Sequence, residues 1–234
     1  MAQKAPTHKT QKLETAMSSL FYRPALRMAP GSPEAFVELE SNAGRGLPSG
    51  AALSATPLEA EDVIDFWRDA GLSLWFAKDP AFDARFRERF QGVHERAARG
   101  QLSGWQASAA GSLALILLLD QYPRNSFRGT PRMYATDAAA RAAADAALQA
   151  GHDMAFPADL RLFFYLPFAH SEDIADQERS VALNRPLGEP NISHAERHRS
   201  IVRRFGRFPH RNPILGRAMR PEEQRFLDEG GYAG

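Results

Sequence analysis

Asp120 and Gln121 stand at the polar end of the apolar run 113–119, and Arg124, Asn125 and Arg128 follow directly. A carboxylate beside a buried segment needs a partner, and a guanidinium supplies two parallel hydrogen bonds. Two uses are open. Either Asp120 pairs with an arginine and locks the turn, or Arg124 and Arg128 face a pocket and hold an anion. A second group, His170 and Glu172, follows the string LRLFFYLPF. Two positions apart on a helix they point away from each other, so they pair on a metal only if a turn folds them together. A structural hydrogen bond is the plain alternative for His170. A third group fills residues 194–212. His194 and His198 are spaced i, i+4, as two ligands on one helix face would be, but no acid completes a metal set. His198 shares its face with Ile201, Val202 and Phe205, so its ring is expected to point inward, as a general base or as a satisfied core residue. Arg204, Arg207, His210, Arg211 and Asn212 then crowd the turn after Gly206.

Taken together, Arg124, Arg128, His170, His198, Arg204 and His210 are expected to surround one polar pocket. Forked guanidinium groups would recognise a small carboxylate or phosphate, with Gln121, Asn125 and Asn212 in the binding set. His198 or His170 would move a proton, and Asp120 would orient an arginine or a histidine. A metal version would use His170, Glu172 and His198 or His210. The sequence requires no cofactor.

Helices must deliver these groups. The string TPLE predicts a capping box at Thr56 with Pro57 in the first helical position. Val63, Ile64, Phe66 and Trp67 form its apolar face. A second helix is expected from Pro80, with Phe82, Phe86, Phe90, Val93 and Ala97 on one stripe and a stop at Gly100. A third holds SLALILLLDQY and is expected to end near Tyr122, because Pro123 follows. Thr136 is expected to cap a fourth, alanine-rich helix closed by Gly151. Pro157 opens a fifth, which Pro167 kinks or ends. Ser171, Glu172 and Asp173 cap a sixth. Ser193 and Glu196 are read as a capping box for a seventh that ends at Gly206, and a short last helix follows Pro221. No stretch alternates like a strand, so the class is all-α, with short loops that suit stacked antiparallel hairpins in a single domain.

Residues 1–55 read differently. Proline and glycine interrupt them and no apolar period persists, so a disordered N-terminal extension before a domain at 56–234 is expected. Its lysines at 4, 9 and 12 leave a targeting segment open, and Met17 or Met28 as the true start is a further alternative. The chain of 234 residues has a formal net charge of +1, which argues against whole-surface capture of nucleic acid. It has no cysteine, which excludes disulfides, thiolate nucleophiles and Cys-ligated metals. No apolar run is long enough to span a bilayer, and a cytoplasmic protein is expected.

The strings LALILLLDQYPRN, FRGTPR, FFYLPFAHSED, ADQERSV and HRSIVRRFGRFPHRN, followed by LGR, closely resemble a bacterial family catalogued as domain of unknown function 924. The resemblance covers roughly residues 60–228. It implies an all-helical fold similar to tetratricopeptide repeats, and it assigns no catalytic residue. Three functions compete. The first is an enzyme, or a former enzyme, acting on a small anionic metabolite. The second is a peptide- or protein-binding scaffold, which a tetratricopeptide-like fold suits. The third is RNA binding through Arg203, Arg204, Arg207 and Arg211 with Phe205 and Phe208. Internal acids, Asp120 and Glu178 among them, weigh against the third.

Overall fold

In the computed structural model, residues 57–234 are described; the expectations for residues 1–55 and for a cap at Thr56 lie outside the described residues. Helix α1 (Leu58–Trp75) buries Ala60, Val63, Ile64 and Trp67 at helical spacing. It bends at Gly71, whose φ of 66° suits a residue without a Cβ. Trp75 sits just beyond the bend, and its indole Nε1 donates 2.6 Å to the Trp67 carbonyl. The two indoles stack with centroids 6.1 Å apart. Helix α2 (Pro80–Ala98) begins where the Asp79 carboxylate accepts from the Phe82 amide. Phe82, Phe86 and Phe90 of α2 pack against Phe66 of α1, and Phe82 and Phe86 also meet Trp67.

The central helix departs from expectation. α3 (Ala109–Ile116) does not end before Pro123. It passes through a π turn (Leu117–Gln121) into α4 (Tyr122–Ser126). The Tyr122 amide bonds to the carbonyl of Leu117, five residues back. Pro123 has no N–H to return, which inside a regular helix costs about 3 kcal/mol. Here the carbonyls below it are met from outside the helix. His94 Nδ1 donates to the Leu118 carbonyl at 2.9 Å, and Thr136 Oγ1 donates to the Leu119 carbonyl at 2.6 Å. Thr136 therefore precedes α5 (Asp137–Gln149) without capping it through its side chain. Thr136→Val should leave the Leu119 carbonyl desolvated and cost about 1–3 kcal/mol in urea unfolding, while Thr136→Ser should cost little. Equal stability of the valine variant and the parent would mean that the carbonyl has another partner.

α6 (Ala158–Ala169) follows Pro157 and carries Pro167 in its interior, two residues before its end. α7 (Ile174–Asn184) is capped by Asp173, which accepts from the Ala175 and Asp176 amides; Ser171 braces that cap by accepting from the Asp173 amide. α8 (Asn191–Phe205) starts two residues before Ser193, so the expected Ser193–Glu196 box is absent and Pro190 precedes the helix without a side-chain cap. It stops at Gly206, with φ 71°. At the start of α9 (Pro221–Asp228), Glu223 Oε2 accepts from the Arg220 amide at 2.8 Å.

α5 packs on α6, α6 on α7 and α7 on α8, while α1 packs on α3 and α2 on α4. The main core is aromatic and aliphatic, centred on Trp67, Phe86, Phe163 and residues 113–119. A smaller core joins Ile201, Val202, Phe205 and Phe208 to Phe226 and Tyr232. Among the described residues there is no strand. The domain is all-α, with consecutive helices packed on one another. Among the described residues no helix is long and apolar enough to cross a membrane.

Candidate functional site

The π turn, the start of α5, the end of α6, α8 and the 3-10 turn Pro209–Arg211 bring ionisable groups together. Asp120, only 1% exposed, is the hub. Its Oδ1 lies 2.8 Å from His170 Nδ1, and its Oδ2 accepts from Gln121 Nε2 at 2.6 Å. Arg124 Nη1 stands 3.2 Å from Oδ1 and donates 2.8 Å to the Asp120 carbonyl. The same Nη1 is 2.9 Å from Asp137 Oδ1, close in distance but not aligned as a hydrogen bond, so charge carries that contact. Arg211 Nη1 reaches Asp137 Oδ2 at 3.7 Å, and its Nη2 donates to the His170 carbonyl at 2.9 Å. The Arg211 guanidinium also lies 4.6 Å from the ring centroids of both Tyr134 and Phe208.

Burial opposes the charge on Asp120, but Arg124 and His170 outweigh it and hold its carboxyl down to about 2. A carboxylate cannot donate, so His170 Nδ1 carries the proton and Nε2 the lone pair. Burial and then Arg124 push His170 down against the pull of Asp120, which keeps the ring neutral at pH 7. A neutral imidazole oriented by a buried carboxylate is the arrangement of a general base.

Two further histidines approach this pair. Burial, then the neighbouring His170, His194, Arg211 and His210, lower His198 to about 3. Burial and then Arg211 lower His210 to about 4. Tyr232 stands between them, its ring 4.7 Å from His198 and 5.1 Å from His210. Arg124 Nη2, Arg211 Nε, His198 Nδ1 and His210 Nδ1 are shielded from solvent and bond to no other protein atom. Leaving such a group unmatched costs about 1–3 kcal/mol. Four of them around one dyad make a polar surface whose hydrogen bonds the fold itself does not complete.

Several expected members lie elsewhere. Arg128 is held by both oxygens of Asp83, at 2.5 and 3.0 Å, and by the Ala77 carbonyl. It ties the loop after α4 to the start of α2. Arg204 is exposed and stacks on Phe205 and Phe226. Asn212 is fully buried in a different network and donates to Glu223 Oε2 at 3.1 Å. In each case a structural acid or ring meets the residue first. Gln121 serves Asp120, and Asn125 is buried with its Nδ2 unbonded to protein. The metal alternative loses its carboxylate, because both Glu172 oxygens are taken by Arg217 at 2.7 and 2.9 Å and one also accepts from the Phe208 amide. Among the described residues, no group of three or more His, Asp or Glu is placed to hold a metal ion. The basic stretch 204–217 is largely neutralised from within: Arg207 pairs with Glu223, Arg211 with Asp137 and Arg217 with Glu172.

Four neighbours of the cluster were not singled out from sequence as site residues: Tyr134, Asp137, Arg211 and Tyr232. Arg211 had a signal, a cation in an apolar turn. Asp137 had a faint one, an acid opening a helix otherwise rich in alanine. Tyr134 and Tyr232 had none, since their side chains reach the cluster only through the tertiary fold.

A comparison with curated proteins gives no match. The structure is similar to that of a protein of unknown function from Agrobacterium tumefaciens, with 58% sequence identity, a TM-score of 0.74, and coverage of 75% of this chain and 100% of the other. A family model, described as bacterial protein of unknown function, matches residues 63–231. With the Asp120–His170 pair and the strings around it inside that span, the chain belongs to the bacterial family DUF924.

Proposed function

We propose that the protein is a cytoplasmic small-molecule enzyme that binds a small anionic metabolite beside the Asp120–His170 dyad. The observation that carries this reading is the set of four solvent-shielded nitrogens without a protein partner, next to a histidine whose tautomer leaves Nε2 unprotonated. Arg124 and Arg211 supply charge-assisted donors to a carboxylate or phosphate. His170 Nε2 takes a proton from the ligand or returns one, and Asp120 keeps the ring in that tautomer and stabilises the imidazolium that forms. The alternative, a protein-binding scaffold, rests on the fold alone.

A thermal-shift screen against small carboxylates, phosphate and phosphate esters tests the reading. A site ligand at ~100 times its dissociation constant should stabilise the fold by ~2.7 kcal/mol. For any hit with an acidic C–H, the ligand is followed by proton NMR in D2O. The wild type should wash deuterium into that position, and His170→Gln should bind the ligand without exchange. No stabilisation by any member of the panel would reject the pocket and leave the scaffold as the better reading.

A further inference from the structure

We propose that the cluster takes up a singly charged carboxylate together with one proton, which His198 and His210 hold between them. The proposal rests on the anion-binding reading above and adds what that binding requires. The fixed charges of the cluster cancel: Arg124 and Arg211 stand against Asp120 and Asp137. The nearby Glu172 is cancelled by its two-pronged pair with Arg217. An anion entering this balance brings an uncompensated charge into a largely desolvated site, which is costly unless a counter-charge enters with it.

His198 and His210 are placed to take that counter-charge. Each has a shielded Nδ1 that bonds to no protein atom. His198 faces the rings of Phe208 and Tyr232, and the charged or titratable groups His170, His194, Arg211 and His210. His210 faces the same two rings, with Arg211, Glu172, Arg217 and His170 around it. In the unliganded protein these surroundings favour neutral rings. An anion set between Arg211 and the two imidazoles reverses the local field and draws one proton in. A second proton would add another cation to a cluster that already holds Arg211. One proton matches one negative charge, so a monoanion fits the site better than a dianion.

The test uses the full chain, with acetate as the monoanion and sulfate as the dianion, because both keep their charge over the pH range used. Binding of each is measured calorimetrically from about pH 6.5 to about pH 8.5, with histidine ring signals followed by NMR. The acetate dissociation constant should rise with pH, approaching about tenfold per unit as one proton becomes harder to supply. Sulfate should bind more weakly at every pH, and acetate should move a His198 or His210 signal towards its protonated position. Acetate binding with no pH dependence would overturn the proton coupling and leave the anion site standing. Tighter binding of sulfate would overturn the preference for a monoanion. If neither anion binds at any pH, the anion site itself fails and the coupling goes with it. The double variant His198→Gln/His210→Gln should flatten the acetate slope, and a slope that persists in it would overturn the assignment to these two rings.

Discussion

Asp120→Ala should destabilise the domain by about 3–5 kcal/mol, the range for removing one partner of a buried ion pair. The substitution leaves Arg124 with Asp137 as its one nearby carboxylate, deprives His170 Nδ1 of its acceptor and frees Gln121 Nε2. Asp120→Asn, which keeps the shape and loses the charge, should cost less than alanine but still destabilise measurably, since an amide cannot accept from all these donors at once. Urea unfolding at pH 7 reads both. A loss below about 1 kcal/mol in the alanine variant would show that the pair contributes little beyond its own desolvation. The wild-type pH dependence carries the same information. The Asp120 carboxyl is held at about 2, below its ordinary 3.8, so its contribution is fully present above 3.8 and disappears as the pH falls towards 2. That depression corresponds to a contribution on the order of 2 kcal/mol. The acid limb of the stability curve should therefore flatten in Asp120→Asn.

Arg211→Met should weaken binding of any anion at the cluster by roughly tenfold to a hundredfold, the scale of one to two charge-assisted hydrogen bonds. Methionine keeps an apolar stem against Tyr134 and Phe208 and removes the guanidinium. The cost to stability should be smaller than that of Asp120→Ala, because the Asp137 carboxylate keeps Arg124 as its partner. Calorimetric titration with the strongest ligand of the thermal-shift panel measures the first effect, and urea unfolding the second. Unchanged affinity in a folded variant would place the anion away from Arg211. An increase in affinity would mean that the guanidinium blocks the site by holding Asp137 across it.

Much of the fold can be read along the chain because its helices are marked by short-range chemistry. Asp79 before Pro80, Gly206 after Phe205 and the stripe Phe82–Phe86–Phe90 each declare a boundary or a face within a few residues. Asp120, His170 and Arg124 were also legible as a group, because each ends or follows an apolar run where a charge needs an account. The failures have a common cause. Thr136 has the composition of a cap, but its hydroxyl goes to the Leu119 carbonyl across the fold, and Ser193 has that of a capping box, but the helix is already under way at Asn191. Arg128 and Arg204 look no different in sequence from Arg124 and Arg211. What separates them is the identity of the group across the fold: Asp83 and a pair of phenylalanine rings for the first two, the dyad and Asp137 for the others.

The π turn at Leu117–Gln121 acts as a phase shifter within one rod. A helical residue advances the side-chain direction by about 100°. One additional residue in a turn therefore lets the part before it and the part after it answer to different surroundings. Leu113, Ile116 and Leu117 keep the register that the aromatic core demands, while Asp120 and Arg124 adopt the one that meets His170 and Asp137. A single additional residue sets the register of Leu113, Ile116 and Leu117 apart from that of Asp120 and Arg124.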